Sequence, residues 1–345
     1  MTMRASTGLI FMGGTVLLAV SFLSILIVGA VNIPIQKVIS ILAGGACEGG
    51  IETTIVMETR LPMAIAAACT GAMLSVAGLM MQTLFHNPLA GPSVLGISSG
   101  ASFGVAVFML SAGGLTATLA GGWQPFLSTI AALAGGLATI IILFAFSSVL
   151  KSGITLLVVG IMLSYLCNSG ISLLNYFSPP DEIRSYLVWG LGNFGSLRHS
   201  TALWMLAFTL VSLIPTMVFV KPLNAMLLGE RYLESVGYSA RKIRGSILIM
   251  TGILVAVPTA YCGPIGFIGL IVPHLCRLLF RSSNHLILMP ACIIIGSAVT
   301  LLCALLSVAP SAYFGVLPVN VITPIIGVPV ILYLLINRSK LPYFS

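Results

Sequence analysis

Charged residues are what this sequence has least of. Only 6% of its 345 residues are Asp, Glu, Lys or Arg, whereas 58% are hydrophobic and the mean hydropathy is +1.14. Water-soluble domains carry roughly 25% charged residues, and no stretch here is polar enough over a sufficient length to bury a soluble core of its own. The composition predicts an integral membrane protein with a single domain over residues 1–345.

Several functional motifs are also missing. The sequence has no G-x-x-x-x-G-K-[ST] loop for nucleotide phosphates, no H-E-x-x-H pair and no paired carboxylates within its apolar runs, so an intramembrane enzyme gains no support. None of its seven cysteines forms a C-x-x-C pair, and all but Cys47 lie within or at the edge of apolar runs, which argues against zinc and disulfides. We therefore predict no metal site and no cofactor of its own.

What the sequence does have is long uncharged runs, and a membrane-spanning helix needs about 20 apolar residues. Turn residues and clusters of charge divide these runs into an all-α bundle of about ten spans. The first run is read as a retained span and not as a cleaved signal peptide. The predicted spans cover roughly 8–31, 61–84, 93–112, 125–149, 154–175, 201–220, 242–262, 266–281, 286–306 and 319–336.

The basic residues indicate an orientation. With ten spans and a cytoplasmic N-terminus, every Lys and Arg except Lys37, Arg60, Arg184 and Arg198 falls on the cytoplasmic side. The net charge of +8 is thereby explained by membrane orientation, and binding to nucleic acid is not predicted. We expect a multi-pass protein of the inner (plasma) membrane with both termini in the cytoplasm.

The segment from Lys221 to Arg244 is the only long stretch rich in charge of both signs. Apolar residues recur in it at mostly helical spacing, which predicts an amphipathic helix that Gly237 ends and Ser239 follows as the cap of the next helix. A solvated loop that merely joins two spans is the alternative. The apolar face favours docking in a groove of another protein. That face comprises Leu223, Met226, Leu227, Leu233 and Val236.

Two patterns lie inside the predicted spans. Tyr165, Asn168, Ser172 and Asn175 are spaced by three, four and three residues, so they share one helix face that would line water or a partner helix. Hydrogen bonding between helices is the alternative, of about equal weight for Ser172. Glycines at 96, 100 and 104 predict close helix packing and not a phosphate cradle.

Three segments together resemble the FecCD-type permeases of iron-chelate, haem and cobalamin ABC importers. They are RLPMAIAAACTGAMLSVAGLMMQTLFHNPLAGPSVLGISSGAS, LLGERYLESVGYSARKIR, and CGPIGFIGLIVPHLCRLLF followed by LPVNVITPIIGVPVILYLL. The resemblance extends over nearly the whole chain and rests on motif residues in a fixed order. These are Gln82, Asn87, Pro88, Gly96, Gly100, Gly269, Pro273, His274 and Arg277.

The resemblance implies a type II ABC importer permease with ten spans per subunit. It would form a homodimer or pair with a similar permease, sit on cytoplasmic ATPase subunits that bind the ATP, and receive a ferric siderophore, haem or cobalamin from an external substrate-binding protein. A self-sufficient secondary transporter with broken helices is the alternative, but such proteins typically carry an ionisable residue at mid-membrane, and the charge-free runs contain none.

The resemblance also assigns roles to residues. Asn320 and Thr323 would line the pathway with the polar face of the fifth span, Ser152, Gly153 and Ile154 would form the cytoplasmic gate, and Arg60 would dock the binding protein. Other docking charges are replaced by Met63, Leu305 and Ala309, and His274 is expected to pack or hydrogen-bond in preference to touching cargo. The implied coupling element contains Leu223, Met226, Leu227, Leu228, Gly229, Glu230, Arg231, Leu233, Val236 and Gly237.

Overall fold

The computed structural model describes residues 2–29, 31, 33–44, 50–110, 124–150, 153–195, 197–310 and 315–336. Within these ranges the chain is helical and contains no strand. The helices are α1 (Thr2–Ile27), α2 (Ile35–Leu42), α3 (Ile51–Thr54), α4 (Leu61–Leu84), α5 (Ile97–Leu110), α6 (Gln124–Val149), α7 (Gly153–Phe177), α8 (Pro180–Gly190), α9 (His199–Leu213), α10 (Val220–Met226), α11 (Glu230–Ser235), α12 (Ala240–Cys262), α13 (Ile268–Phe280), α14 (His285–Val308) and α15 (Val319–Ile336).

Short pieces of other helix types extend three of these elements. A π-helical turn, Ile55–Arg60, joins α3 to α4 without a break, and 3₁₀ turns at Pro92–Leu95 and Ile214–Phe219 precede α5 and α10. In the described ranges seven helical stretches are long and apolar enough to cross a bilayer, and three shorter apolar helices accompany them. Each of the ten predicted spans corresponds to one of these ten stretches, which confirms the all-α polytopic fold.

The 32 residues from Gly245 to Cys276 are too few for two full spans and a connector. The structure accommodates two helices here in two ways. Helix α12 begins at Ala240 and so includes the basic residues at its start, while α13 has only 13 residues. At 1.5 Å per residue α13 is about 20 Å long, less than the ~30 Å hydrocarbon core. Residues 263–267 between the two helices are not helical. Such backbone is tolerated at membrane depth where it is buried in protein or lines a cavity.

Helix α4 is the centre of the subunit. The most apolar 18-residue window of the stretch Ile51–Leu84 is 89% buried, and within α4 only Leu61, Ile65 and Ala68 are not buried. It packs against α9, α12, α13 and α14. A β-carbon at Gly71 would collide with the carbonyl of Gly296 in α14. Small residues on α4 therefore allow the main chains to approach closely.

The glycines before and within α5 serve the same purpose. Gly96 has a φ of 76°, in the left-handed region that glycine adopts without strain, and it separates the 3₁₀ turn from α5. β-carbons at Gly100 and Gly104 would collide with Thr139 and Gly135, and with Ala131, all on α6. The packing interpretation of this glycine series is thereby confirmed.

Candidate functional site

The polar segment is not one helix, and that part of the sequence prediction was wrong. Helix α10 ends where the amides of Leu228 and Gly229 bond back to Ala225 and Met226. Gly229 then takes a φ of 102°, which interrupts the helix before α11 begins. The segment is therefore two short helices separated at Gly229, because an α-helix cannot continue through a residue in this conformation.

The predicted end of the segment is confirmed. Gly237 has a φ of 94°, its amide donates to Glu234 O at 2.9 Å, and the amide of Tyr238 donates to Leu233 O at 3.2 Å. This pair of bonds is the Schellman arrangement, which satisfies the last carbonyls of a helix. Ser239 occupies the N-cap position of α12, but its side chain makes no capping bond.

The apolar face of the segment is turned mostly inward. Leu223, Met226 and Leu233 are 0%, 1% and 0% exposed, so they belong to the core of this subunit. Their expected place in a partner's groove is therefore wrong. Other apolar side chains point outward at four-residue intervals: Leu228 is 66% exposed, Tyr232 47% and Val236 53%. We call these three residues the exposed row; Leu227 is half-buried beside it.

Charged side chains surround the exposed row. Arg231 and Glu234 are exposed on α11. Glu230 forms an ion pair with Arg244, whose Nη1 also donates to the carbonyl of Leu150 at the end of α6. The pair ties α11 to α12 and α6, so the segment is held against the membrane helices on this side.

The opposite side of the segment is held by hydrogen bonds from three other elements. His86, in the loop after α4, has a φ of 47°, and its Nε2 donates to Met226 O at 2.7 Å. Asn224 of α10 bonds to Asn284 and His285 at the start of α14, and His285 in turn contacts Thr83 of α4. The segment is therefore anchored laterally as well as along the chain.

Residues of the family motif form a buried, hydrogen-bonded cluster between α4, the loop that follows it and α13. Arg277 donates to Gln82 Oε1 at 2.5 Å, and Gln82 Nε2 donates to Leu270 O at 3.2 Å. His274 is 5% exposed, and its Nε2 donates to Pro88 O at 2.8 Å. The expected hydrogen-bonding role of His274 is confirmed.

Two other motif residues lie in the backbone next to this cluster. Asn87 Oδ1 accepts the amide of Leu89 at 2.9 Å, a turn that asparagine favours. Pro273 lies buried inside α13.

The sequence from Gly96 to Gly100 fits G-x-S-x-G, the nucleophile elbow of hydrolases. That elbow requires a strand before the serine, and a 3₁₀ turn stands there instead.

The polar face of α7 is accessible in the isolated subunit. Tyr165 is 66% exposed, and Asn168 and Ser172 are exposed as well. Asn175 is half-buried, and its Oδ1 has no hydrogen-bond partner among the described residues. The most apolar window of α7 is only 11% buried, the lowest value of the seven long spans. This face is thus available to water or to a second subunit.

Asn320 and Thr323, the two residues of α15 that were expected to line the pathway, lie in different environments. Thr323 is 1% exposed, so the expectation that it lines an open pathway is wrong. Asn320 donates to the carbonyls of Gly190 and Pro264 and accepts the amide of Gly266, at 3.2, 2.5 and 3.3 Å. It fixes the connection between α12 and α13 and also borders a cavity of about 280 Å³.

Arg60 is 6% exposed, and its guanidinium is occupied within the subunit. Nη1 donates to the carbonyls of Leu26 and Ile27, both at 2.8 Å, and Nη2 donates to Val31 O. The carbonyls of Leu26 and Ile27 are the last two of α1, which ends at Ile27 and not at the predicted residue 31; Val31 lies just after the helix. A cation at a helix C-terminus is stabilising. Docking by Arg60 stays a prediction. In the structure its guanidinium binds the carbonyls at the C-terminal end of α1.

The expected gate cannot be placed. Ser152 lies outside the described residues, and Gly153 and Ile154 are described only as the start of α7. Sequence reasoning missed Asn224, His86 and Tyr232, whereas Leu228 and Val236 were already part of the expected coupling element. The four-residue spacing of Leu228, Tyr232 and Val236 is not a helical signal here, because Gly229 interrupts the helix between Leu228 and Tyr232.

Comparison with known proteins gives consistent results. The family model for the FecCD transport family matches residues 16–337. The vitamin B12 import system permease proteins BtuC of Salmonella typhi and Salmonella enteritidis are each 34% identical to this chain over 290 residues, which is 83% of this chain and 84% of theirs.

A solved structure described as an inward-facing conformation of an ABC transporter of the metal-chelate type superposes with a TM-score of 0.81. It is 26% identical in sequence, and the match covers 96% of this chain and 99% of that one.

Proposed function

The chain belongs to the FecCD transport family, and on that premise we propose that it is the membrane-spanning permease subunit of an ABC importer for a metal chelate. Its relatives in Salmonella import vitamin B12, which makes cobalamin one candidate cargo beside a ferric siderophore and haem. The transport is energised by separate ATPase subunits, which bind the ATP, and the permease itself catalyses no reaction.

The exposed row is the observation that carries this proposal. Leu228, Tyr232 and Val236 project from a segment rich in charge of both signs, while the inward residues Leu223 and Leu233 anchor that segment. Large apolar side chains on a polar surface mark interaction sites. Apolar anchors presented by a short helix and by the turns at its two ends suit a groove on another protein. We assign that groove to the ATPase subunit.

The remaining partners follow from the same assignment. We propose a homodimer, or a pair with a similar permease, in which the accessible polar face of α7 borders the pathway. An external binding protein delivers the chelate. We propose that the exposed row and both termini face the cytoplasm, and the distribution of basic residues supports this orientation. A secondary transporter is not favoured, because the long uncharged runs of the sequence contain no Asp, Glu, Lys or Arg that could couple ion movement at mid-membrane.

Leu228→Asp tests the assignment, with Leu228→Met as the matched control. A carboxylate carried into an apolar groove without a partner costs several kcal/mol, whereas methionine keeps the volume and the apolar character. We expect ATPase subunits to co-purify with Leu228→Met but not with Leu228→Asp, and chelate uptake to follow the same pattern. Normal co-purification and uptake with Leu228→Asp would refute the docking role.

A further inference from the structure

Asn224 connects the polar segment to the first turn of α14. Its Oδ1 accepts the main-chain amide of His285 at 2.9 Å and His285 Nδ1 at 2.8 Å, while its Nδ2 donates to Asn284 Oδ1 at 2.9 Å. Asn284 also caps α14 by accepting the amide of Leu286. One short side chain on α10 thereby satisfies three groups at the end of another helix, and few rotamers of asparagine can do so.

The connection continues through His285 to α4. The ring is 1% exposed, and its Nε2 lies 2.8 Å from Oγ1 of Thr83, which is fully buried. Because Nδ1 donates to Asn224, Nε2 of the neutral ring is an acceptor for the hydroxyl of Thr83, which also lies 3.0 Å from a second acceptor, Leu79 O of its own helix. A continuous row of hydrogen bonds therefore runs from α10 through α14 to α4. We call Asn224, His285 and Thr83 the lateral clamp.

The clamp offers a second route between the polar segment and the membrane helices. Along the chain the segment is joined to α9 by the 3₁₀ turn Ile214–Phe219 and to α12 by the bend at Gly237. The lateral route instead reaches α4 and α14, the two helices that cross at Gly71 and Gly296 in the centre of the subunit. His285 and Thr83 are buried and Asn224 is half-buried. Losing a hydrogen bond in such a low-dielectric place is costly, so this route resists deformation.

We infer that Asn224 is a positioning residue that transmits movement of the ATPase-bound segment to α4 and α14 through the lateral clamp. The inference rests on the proposed function and adds the route by which force enters the bundle. His86, which donates to Met226 O, supports α10 from the loop after α4. In this proposal the exposed row binds the ATPase, and the lateral clamp passes movement of the ATPase-bound segment on to α4 and α14.

The test uses the complete importer reconstituted in lipid vesicles with its ATPase and binding protein. Three quantities are measured: ATPase association, basal ATP hydrolysis, and chelate transported per ATP hydrolysed. Asn224→Leu removes the bonds at similar size, and Asn224→Asp restores the acceptor for His285. We expect Asn224→Leu to keep association and basal hydrolysis but to lower transport per ATP about tenfold. Asn224→Asp should recover most of that loss.

A second variant acts far from the ATPase surface. Thr83→Val deletes the buried hydroxyl without changing side-chain shape, and we expect it to lower transport per ATP as well. Thr251→Val is the matched control, since Thr251 is equally buried but bonds only within α12. If Asn224→Leu fails to assemble, the comparison of Thr83→Val with Thr251→Val decides the question.

The outcomes separate the two proposals. Normal transport per ATP in Thr83→Val, or in an assembled Asn224→Leu, overturns the clamp. A parallel loss of association and transport in Asn224→Leu that Asn224→Asp does not rescue would also overturn it, because the residue would then be merely structural. A wild-type chain that neither binds an ATPase nor transports would refute the proposed function itself.

Discussion

Gly78 of α4 and Gly269 of α13 touch through their main chains. A β-carbon at Gly78 would collide with the carbonyl oxygen of Gly269, and one at Gly269 would lie 2.6 Å from Leu74 O. Neither residue can carry a side chain unless the two helices separate. Gly269 is one of the motif residues, and its contact brings α13 close against the central helix, where Arg277 bonds to Gln82.

Gly78→Ala should therefore destabilise the protein. The added methyl meets backbone atoms that cannot move aside, and overpacking of this kind costs about 1–3 kcal/mol. Gly13→Ala is the control, because a β-carbon at Gly13 in α1 has nothing within 4 Å. Thermal unfolding in detergent should show a lower midpoint for Gly78→Ala only. Equal midpoints would mean that α4 and α13 have room to separate.

Arg60→Gln should weaken the end of α1. Losing charge-assisted bonds to three carbonyls costs about 1.5–3 kcal/mol for each bond that is not replaced. The thermal midpoint should fall, while affinity for the binding protein should stay unchanged if capping is the only role of Arg60. Arg184→Gln, on an exposed position of α8, serves as the control for stability. Reduced affinity in a protein of normal stability would instead support docking by Arg60.

Asn168→Cys and Thr323→Cys should differ in reactivity toward water-soluble thiol reagents. Both residues were expected in the pathway, but Asn168 is exposed and Thr323 is 1% exposed. In a background without Cys167, which is partly exposed, Asn168→Cys should label and Thr323→Cys should not. Equal labelling would show that α15 turns more freely than its packing suggests.

Glu230→Gln should loosen α11. The substitution breaks the ion pair with Arg244, and pairs of this exposure contribute up to about 1 kcal/mol. Trypsin cleavage after Arg231 should then rise about fivefold, because local opening precedes cleavage. Glu234→Gln removes an exposed acid from the same helix and should leave the rate unchanged. If both variants are cleaved alike, the pair with Arg244 does not hold α11.

The sequence predicted the spans well because an apolar run long enough to cross a bilayer is a local property. It predicted the direction of the polar segment poorly. Periodicity shows that Leu223 and Leu233 avoid water, but it does not tell whether they face a partner or their own subunit. The tertiary structure decides this: Leu223 and Leu233 are buried in the subunit, whereas Leu228, next to Gly229, is exposed.

The environments of Arg60 and Thr323 were beyond sequence reasoning for a different reason. The acceptors of Arg60 are carbonyls near residue 27, and their position depends on where α1 ends. The burial of Thr323 depends on how α15 packs against α13 and α14. Both are set by contacts between segments far apart in the chain, which no local pattern records.

The position of α4 has a consequence for biosynthesis. Gln82 and its partner Arg277 are 195 residues apart, so at roughly 5–20 residues per second the ribosome needs about 10 to 40 s to deliver the second after the first. During that interval α4 stands without α12, α13 and α14, with a polar amide and bare glycine faces exposed to lipid or to the insertion machinery. The most buried helix of the finished protein is therefore among the longest to wait for its neighbours, and nascent chains stalled before α12 should be prime substrates for membrane quality control.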